Sequence, residues 1–339
     1  MDGNPDGTFG RRQYLKATAG AVATGSVGLT GCLSAGEGED FPSETITWIN
    51  PSSGGGGYGA FAQGISKHAP EHLPNDVEMS VTSVNDWIQG TSRIHRADAD
   101  GYTIGWIDVP GAVGNQVAKD VPYDLKECTL LNRVAFHPFS IAVPADSEYE
   151  SLEDMQAADE VTFGSPGGGV ASILGAVSTD ALDIPMKLIT GYSGSNGTIT
   201  GMLRGDFEAV SLPPSTPPMT KALKNDEIRL IVLFAQQRSE LAPDAPTAAE
   251  LGYDDLTGTG LNRLVGGPPG IDDDRADVLS EAIEETIASD GEFRQWAKDK
   301  AKHALFTTLK PEGREAAREI LDQGFENMRA NEDILEQHL

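Results

Sequence analysis

Basic side chains are scarce in this 339-residue chain, in which 25 Lys and Arg stand against 52 Asp and Glu, for a formal net charge of −27. This imbalance excludes a nucleic-acid interface, or a surface for anionic membranes, built from basic patches. An acidic excess spread over the whole chain is typical of halophilic proteins from high-salt environments, and an acidic protein in ordinary salt has the same composition. An anionic ligand must therefore be held by local geometry.

Cysteine is also rare, since only Cys32 and Cys128 occur. If Cys32 is acylated, Cys128 has no partner for a structural disulfide. We interpret Cys128 as a small, partly buried filler, because no conspicuous histidine motif accompanies it as a catalytic thiol would require. Long apolar runs are missing as well: residues 15–31 are too short and too polar to span a membrane, and no other stretch approaches the necessary length.

The N-terminus combines a basic motif with a small-residue stretch. The motif is Arg11-Arg12-Gln13-Tyr14-Leu15-Lys16, and the stretch ends in Leu29-Thr30-Gly31-Cys32. This arrangement resembles a twin-arginine export signal with a lipobox, so we predict a signal over residues 1–31 and lipidation of Cys32. A disordered basic tail would not require a cysteine there. Residues 32–42 are acidic and lack an apolar pattern, which predicts a flexible tether to the cell surface.

Short apolar runs alternate with helix-like segments from about residue 43 onward. With 39% hydrophobic residues, a chain of this length can form about two domains, each with its own core. The alternation predicts an α/β protein with mostly parallel sheets. The predicted strands are Thr45 to Asn50, Val77 to Val81, Thr103 to Ile107, Ser140 to Val143, Val161 to Phe163, Lys187 to Ile189, Phe207 to Leu212 and Ile228 to Phe234.

Three helix starts are recognisable. Ser151-Leu152-Glu153-Asp154 matches a capping box. Asp272-Asp273-Asp274 precedes an apolar stripe, so we interpret it as charge at a helix N-terminus and predict no metal site. Another helix is predicted to begin with Pro311, with Ala317, Ile320, Leu321 and Met328 along one side.

Three glycine-rich segments each follow a predicted strand and lead into a predicted helix. They are Asn50 to Tyr58, Gly164 to Ser172 and Gly191 to Thr198. Glycines let backbone amides converge on a bound group, and a helix N-terminus adds partial positive charge, so such loops suit a carboxylate. A single loop of this kind is more often a turn, but three favour ligand contact. None matches a nucleotide-binding signature, and no cofactor is predicted.

Six short motifs in order carry a family resemblance: Gly55-Gly56-Gly57-Tyr58, Asp100-Gly101-Tyr102-Thr103, Val121-Pro122-Tyr123-Asp124, Ser165-Pro166-Gly167-Gly168-Gly169, Gly191-Tyr192-Ser193-Gly194-Ser195 and Ala242-Pro243-Asp244-Ala245-Pro246-Thr247. At these residues the chain resembles the solute receptors of tripartite tricarboxylate transporters, the Bug or TctC-like proteins. The resemblance implies a two-lobed type II periplasmic-binding-protein fold with a two-strand hinge near Phe139 to Val143 and Ile228 to Phe234. Lobe 1 would comprise residues 43–138 and 236–339, and lobe 2 residues 139–235.

The resemblance further implies an extracytoplasmic, lipid-anchored receptor. It would capture a small carboxylate between its lobes and deliver it to a membrane permease. Gly59 and Gln63 depart from the residues usual in the family, which affects the contacts of the first lobe. The predicted ligand-binding residues are Ser52, Ser53, Gly55, Gly56, Tyr58, Ser165, Gly167, Gly169, Ala171, Ser172, Tyr192, Ser195, Asn196, Ser211 and Arg263.

Several side chains near the predicted cleft have two interpretations. Arg263 could hold an anion with its guanidinium fork, whereas an arginine is more often a solvated surface residue. His137 could titrate near neutrality, but a hinge histidine with satisfied hydrogen bonds is the more common case. Trp87, Trp106 and Tyr58 could line the cleft or simply pack.

Other function classes remain open. Ser165 or Ser172 could serve a hydrolase, yet neither lies in G-x-S-x-G and no triad motif accompanies them, so no catalytic residue is predicted. A solute sensor without a transport role and a structural surface protein are further alternatives. We expect a monomer that binds no nucleic acid.

Overall fold

The computed structural model describes residues 41–52, 54, 57–165, 169–288, 291–299 and 308–338. The predicted export signal at residues 1–31, Cys32 and nearly all of the tether at residues 32–42 lie outside the described residues, as do Ser53, Gly55, Gly56 and Gly167. Among the described helices, none combines the length and the apolar character that a membrane crossing requires.

Two β-sheets form the framework. The first has six strands in the order β11-β4-β10-β3-β1-β2, and the second has five in the order β7-β6-β8-β5-β9. The strands of the first sheet are β1 (Ile46–Asn50), β2 (Met79–Ser83), β3 (Thr103–Val109), β4 (Thr129–Pro138), β10 (Gly260–Gly267) and β11 (Leu309–Glu312). Those of the second are β5 (Ser140–Pro144), β6 (Val161–Gly164), β7 (Met186–Ile189), β8 (Ala209–Leu212) and β9 (Ile228–Leu233).

Helices connect the strands and cover both sheets. We number those of the described residues α1 (Gly57–His68), α2 (Trp87–His95), α3 (Gly111–Ala118), α4 (Leu152–Gln156), α5 (Val170–Ala181), α6 (Gly194–Arg204), α7 (Pro217–Lys224), α8 (Asp273–Ala288), α9 (Glu292–Asp299), α10 (Arg314–Ala330) and α11 (Glu332–His338). α1 begins soon after β1, and α5 begins soon after β6. The N-termini of these helices therefore lie at the carboxyl ends of their strands, where open α/β sheets bind ligands.

The α/β class and the two-lobed fold are confirmed, with one refinement of strand direction. β1 pairs in parallel with β2 and β3, and β6 pairs in parallel with β7 and β8. The other described pairings are antiparallel, so both sheets are mixed rather than mostly parallel. β1 and β2, like β6 and β7, are parallel neighbours joined by a crossover helix, whereas the antiparallel pairs join strands that are not consecutive in the chain, such as β4 and β10.

The chain passes between the sheets on two segments that lie side by side. It leaves the first sheet at the end of β4 and enters the second through Phe139, which leads directly into β5. It returns after β9 through Phe234, whose amide donates to the Phe139 carbonyl at 2.9 Å. Both phenylalanines are buried. The lobe boundaries at residues 138/139 and 235/236 remain predictions.

Apolar side chains fill three clusters on the sheet faces. One extends from the α1 and α8 side of the first sheet into the second sheet and includes Trp48, Phe61, Trp106 and Phe163. Another lies on the other face of the first sheet under α3 and α10. The third lies between the second sheet and helices α6 and α7. Cys128 is buried and unpaired in the second cluster, as the filler interpretation expects.

Two predicted helix starts are confirmed, and one is displaced. The Asp154 amide donates to Ser151 Oγ at 3.2 Å while the Ser151 amide donates to Asp154 Oδ2 at 2.9 Å, which completes a capping box at α4. α8 begins at Asp273, in the predicted acidic run. The last long helix begins at Arg314 instead of Pro311, because Pro311 lies in β11, which pairs with β4.

Candidate functional site

A cavity of about 190 Å³ lies between loops of the two sheets. It contains five of the predicted ligand-binding residues, namely Ser52 and Tyr58 from the first sheet's side and Ser165, Gly169 and Ala171 from the second. Its lining residues are Ser52, Tyr58, Trp87, Asp108, Gly111, Asn115, Ser165, Gly169, Val170 and Ala171. Two glycine-rich junctions far apart in sequence therefore meet at one site.

Strand ends place these residues. Ser52 follows β1, Asp108 is the penultimate residue of β3, and Ser165 follows β6. β1 and β3 are parallel neighbours, so their carboxyl ends meet at the same edge of the first sheet. The second sheet presents the carboxyl end of β6 and the start of α5 toward that edge, and the cavity lies between them.

Tyr58, in the first turn of α1, forms an aromatic wall of the cavity. Its ring packs edge-on against Trp87 and Trp106, with centroids 4.7 and 5.7 Å away. The Trp106 indole nitrogen donates to the Tyr58 carbonyl oxygen at 3.2 Å. Trp87 lines the cavity, which is the first of the two interpretations given for it above. Trp106 is fully buried and packs against Tyr58.

Arg263 lies inside β10 and is only 4% exposed, so the interpretation as a solvated surface arginine is wrong. The guanidinium carbon lies 3.7 Å from the centroid of the Tyr58 ring, which is a cation–π contact. Its Nε donates to His137 Nε2 at 3.1 Å. The side chain is thus fixed between the first helix and the end of β4.

His137 is a buried hinge histidine with satisfied hydrogen bonds. Burial, followed by the nearby charge of Arg263, holds the pKa of His137 well below its ordinary value, so the ring is neutral. Because Nε2 accepts from Arg263, Nδ1 carries the proton and donates to Ser215 Oγ at 2.9 Å. Ser215 lies in the segment between β8 and α7, so this chain of hydrogen bonds connects the cavity wall to the second sheet.

Asp108 lines the cavity and was not among the predicted site residues. It stands opposite Arg263 in the antiparallel pairing of β3 with β10, so both side chains emerge on the same face of the sheet. The carboxyl is 3% exposed. Burial raises its pKa to about 7, although its contact with Tyr58 and the charge of Arg263 act in the opposite direction.

Three buried polar atoms around this wall have no hydrogen-bond partner among the described residues. They are Tyr58 Oη, Asp108 Oδ1 and Arg263 Nη1. Buried polar groups in native proteins are almost always hydrogen-bonded, because desolvation without a partner is costly. Tyr58 and Asp108 line the cavity and offer it an unpartnered hydroxyl and an unpartnered carboxyl oxygen, whereas Arg263 lies against the Tyr58 ring and is not among the lining residues.

The second sheet contributes hydroxyl groups. Ser165 Oγ and Ser172 Oγ lie 2.7 Å apart, and Ser172 is fully buried behind the start of α5. Ser211, on β8, is also buried, and its Oγ has no partner among the described residues. The partner of the Ser172 hydroxyl is thus the hydroxyl of Ser165.

The third glycine-rich junction lies apart from this cavity. Tyr192, Ser195 and Asn196 are not among its lining residues, and the Tyr192 hydroxyl donates to Asp206 Oδ2 at 3.1 Å. The junction follows β7, which is an edge strand beside β6. The ligand roles of these three residues and of Ser211 remain predictions.

Asp108, Gly111, Asn115 and Val170 are the lining residues that sequence reasoning missed. A signal for the first two was present, because Asp108-Val109-Pro110-Gly111 ends a strand and starts a helix. That segment carries one glycine instead of a run, and an acidic residue there does not suggest an anion site.

A larger hollow of about 480 Å³ lies on the opposite face of β10. Arg133 and Asn262 line it, but Arg133 Nε already donates to Asn262 Oδ1 at 2.8 Å and Nη1 to Glu312 Oε2 at 2.9 Å. Because Arg133 and Asn262 already satisfy one another there, we assign the ligand to the smaller cavity with the unpartnered atoms.

Comparisons with known proteins agree with this fold. The sequence profile of tripartite tricarboxylate transporter family receptors matches residues 65–304. A UPF0065 protein from the tcbD-tcbE intergenic region of Pseudomonas sp. (strain P51) is 27% identical over 292 residues, 83% of each chain. The structure of a TctC solute binding protein from Polaromonas, with no ligand, matches with a TM-score of 0.70 and 18% identity over 88% of this chain and 100% of that one. The structure of MatC from Rhodopseudomonas palustris with bound malate matches with a TM-score of 0.68 and 17% identity over 87% and 100%.

Proposed function

The chain belongs to the tripartite tricarboxylate transporter receptor family, and on that premise we propose that it captures a small carboxylate in the cavity between Tyr58 and Ala171. The observation that carries this proposal is a pair of unpartnered atoms, Tyr58 Oη and Asp108 Oδ1, at a cavity lined by two glycine-rich junctions, with the buried Arg263 guanidinium stacked on the Tyr58 ring. MatC, a structural neighbour, was solved with a dicarboxylate, malate.

Arg263 is the proposed anchor for one carboxylate. Its planar guanidinium is already held by Tyr58 and His137, so little side-chain freedom is lost when Nη1 finds an acceptor. The start of α5 supplies backbone amides and partial positive charge at Val170 and Ala171. The ligand would contact both lobes, and its higher affinity for the closed arrangement would shift an existing open/closed equilibrium.

Thermal-shift screening tests the proposal. The probes are acetate, succinate, malate, adipate and citrate, each added to the mature chain in high salt, followed by mass spectrometry of any co-purified solute. A ligand present at 100 times its Kd stabilises the folded state by about 2.7 kcal/mol. A raised melting temperature with at least one acid supports a carboxylate receptor. If none of the five acids raises it, the proposed ligand class is wrong.

Export and anchoring extend the proposal to the N-terminus. Residues 1–31 would direct twin-arginine export, and Cys32 would carry the lipid that holds the receptor at the cell surface beside its permease. Cys32→Ala should release the receptor from the membrane fraction into the medium, whereas Cys128→Ala should leave it membrane-bound. A Cys32→Ala protein that still partitions with membranes contradicts the anchor.

A further inference from the structure

Asp108 is an unexpected side chain in a site for an anion. It is 3% exposed, lines the cavity, and presents Oδ1 without a partner among the described residues. Its other oxygen is held against the start of α3, since a Cβ built on Gly111 would lie 2.3 Å from Asp108 Oδ2. One oxygen of the carboxyl group therefore lies against the first residue of α3, where glycine leaves room for it.

The charges around the cavity do not balance if every acid is ionised. Among the described lining residues Asp108 is the acidic one, and behind Tyr58 the buried cation is Arg263. A bound carboxylate adds a second negative charge, so Asp108 and the ligand would share one cation and leave a net charge of −1 in a buried place. Like charges in such a site are relieved when the two carboxyl groups share one proton.

Among the described residues, no other group that faces Asp108 supplies this proton or a second positive charge. Tyr58 on α1 and Tyr123 after α3 both feel the charge of Asp108, and burial raises the pKa of each hydroxyl, so both are neutral. Arg263 faces it from β10, and His137 behind Arg263 is neutral because burial lowers its pKa. From the second sheet, the lining residues Ser165, Gly169, Val170 and Ala171 carry no ionisable side chain.

We propose that Asp108 binds the solute as a neutral carboxylic acid, whose O–H donates to a carboxylate oxygen of the ligand, so that binding above neutral pH takes up one proton from water. The inference rests on the proposed carboxylate site and adds a specificity-determining residue to it. Arg263 Nη1 would hold the same carboxylate from the other side, and no covalent bond forms or breaks. Because burial raises the pKa of ligand-free Asp108 to about 7, the proton must be taken up mainly above neutral pH.

Isothermal titration calorimetry with malate and adipate tests this between pH 6 and pH 9, where both carboxyls of each probe are ionised. Titrations in phosphate and in Tris, whose heats of ionisation differ, give the number of protons taken up. We expect about one proton at pH 8, and an affinity that falls about tenfold per pH unit above pH 8 and levels off toward pH 6. Asp108→Asn keeps the shape and an N–H donor, so it should bind without proton uptake and with no pH dependence.

Asp98→Asn is the matched control, because it removes one exposed carboxylate outside the cavity and should behave as the wild type. Wild-type affinity that stays constant from pH 6 to pH 9 overturns the inference and leaves the carboxylate receptor standing. Affinity that rises with pH also overturns it, because the ligand would then bind the ionised form of Asp108. If neither acid binds the wild type or a folded Asp108→Asn variant at any pH, the carboxylate site and this inference are both wrong.

Discussion

Asp108 shows how burial sets the behaviour of a single side chain in this protein. Its carboxyl has a pKa raised from 3.8 to about 7, and burial is the main cause. Without ligand, the folded chain therefore keeps Asp108 protonated up to about pH 7. Arg263, one strand away, stays charged because its guanidinium is stacked and hydrogen-bonded. Opposite charges across β3 and β10 thus do not form a simple ion pair.

This pKa shift predicts how Asp108 affects stability without ligand. From pH 4 to pH 7 the unfolded chain ionises Asp108 while the folded chain keeps it protonated, so the free energy of unfolding falls as pH rises and then levels off above pH 7. Asp108→Asn removes the penalty, and its gain over wild type should grow across that range to at most about 4 kcal/mol, since each pKa unit is worth about 1.4 kcal/mol.

Urea denaturation at fixed salt measures this gain, with Asp98→Asn as the exposed control. The gain should be small at pH 4 and largest at pH 8. If the Asp108→Asn variant is less stable than the wild type at pH 8, the prediction is wrong, because the folded chain then stabilises the ionised carboxyl group.

Arg263 supports a second prediction at this scale. Arg263→Lys keeps the positive charge but loses the planar group that stacks on Tyr58. It also loses the separate nitrogens that allow Nε to donate to His137 while Nη1 donates to a ligand. Carboxylate affinity should fall about tenfold or more, because charge-assisted hydrogen bonds contribute about 1.5–3 kcal/mol. Titration calorimetry measures it, and Arg96→Lys, at an exposed arginine after α2, should not change affinity. Equal affinities in both variants would remove Arg263 from the site.

Sequence reasoning reached some of these residues and not others. We could predict Tyr58, Ser165 and Ala171 because they lie in glycine-rich strand-to-helix junctions, which are recognisable from the local sequence. Asp108 does not, because its proximity to Arg263 depends on the pairing of β3 with β10, which lie far apart in the chain. The burial of Arg263 cannot be predicted from its sequence neighbours either, because the rings that cover it belong to Tyr58 and Phe61, far away in the chain.

At the scale of elements, the predicted strands agree with those of the structure, but three further strands were missed. The missed strands are β4, β10 and β11. β4 and β10 carry Asn132, His137 and Arg263, which interrupt an apolar pattern although all three are buried. Long-range partners make this burial possible, for example the Ser280 carbonyl oxygen that accepts from Asn132 Nδ2 at 3.0 Å. Such partners cannot be identified from local hydropathy.

Gly164 at the end of β6 shows why the second junction needs glycine before the cavity. A Cβ at this position would lie 2.0 Å from Phe207 Cζ, which is buried under α6. Gly164→Ala should lower the free energy of unfolding by about 1–3 kcal/mol, as overpacking of a filled core does. Phe207→Leu makes room, so the cost of Gly164→Ala should shrink in that background.

Urea denaturation of the single and double variants gives the coupling between the two positions. Gly258→Ala is the matched control, because an added Cβ there meets nothing within 4 Å. If Gly164→Ala costs the same in both backgrounds, the ring of Phe207 is not what requires glycine.

At the scale of the whole molecule, the two sheets are joined by packing as well as by the crossing segments. Ile173 at the start of α5 is buried with side chains of α3 and α10 from the first sheet's side. The largest apolar cluster also runs through Phe139 and Phe234 into both sheets. The cavity therefore lies between parts that share their cores, so ligand contacts on either wall can influence the packing of both.

The net charge of the whole chain predicts how the melting temperature depends on salt. At −27, self-repulsion opposes the compact state, and it is screened as the Debye length falls from about 10 Å at 0.1 M salt to about 3 Å at 1 M. The melting temperature should rise from 0.1 to 1 M KCl, by about 2–4 °C for each kcal/mol of repulsion removed. Salt also strengthens apolar burial, so the scan is repeated at pH 5, where protonation of part of the carboxylates reduces the charge and the rise should be smaller. A rise of equal size at both pH values would show that the acidic surface is not the source of the salt dependence.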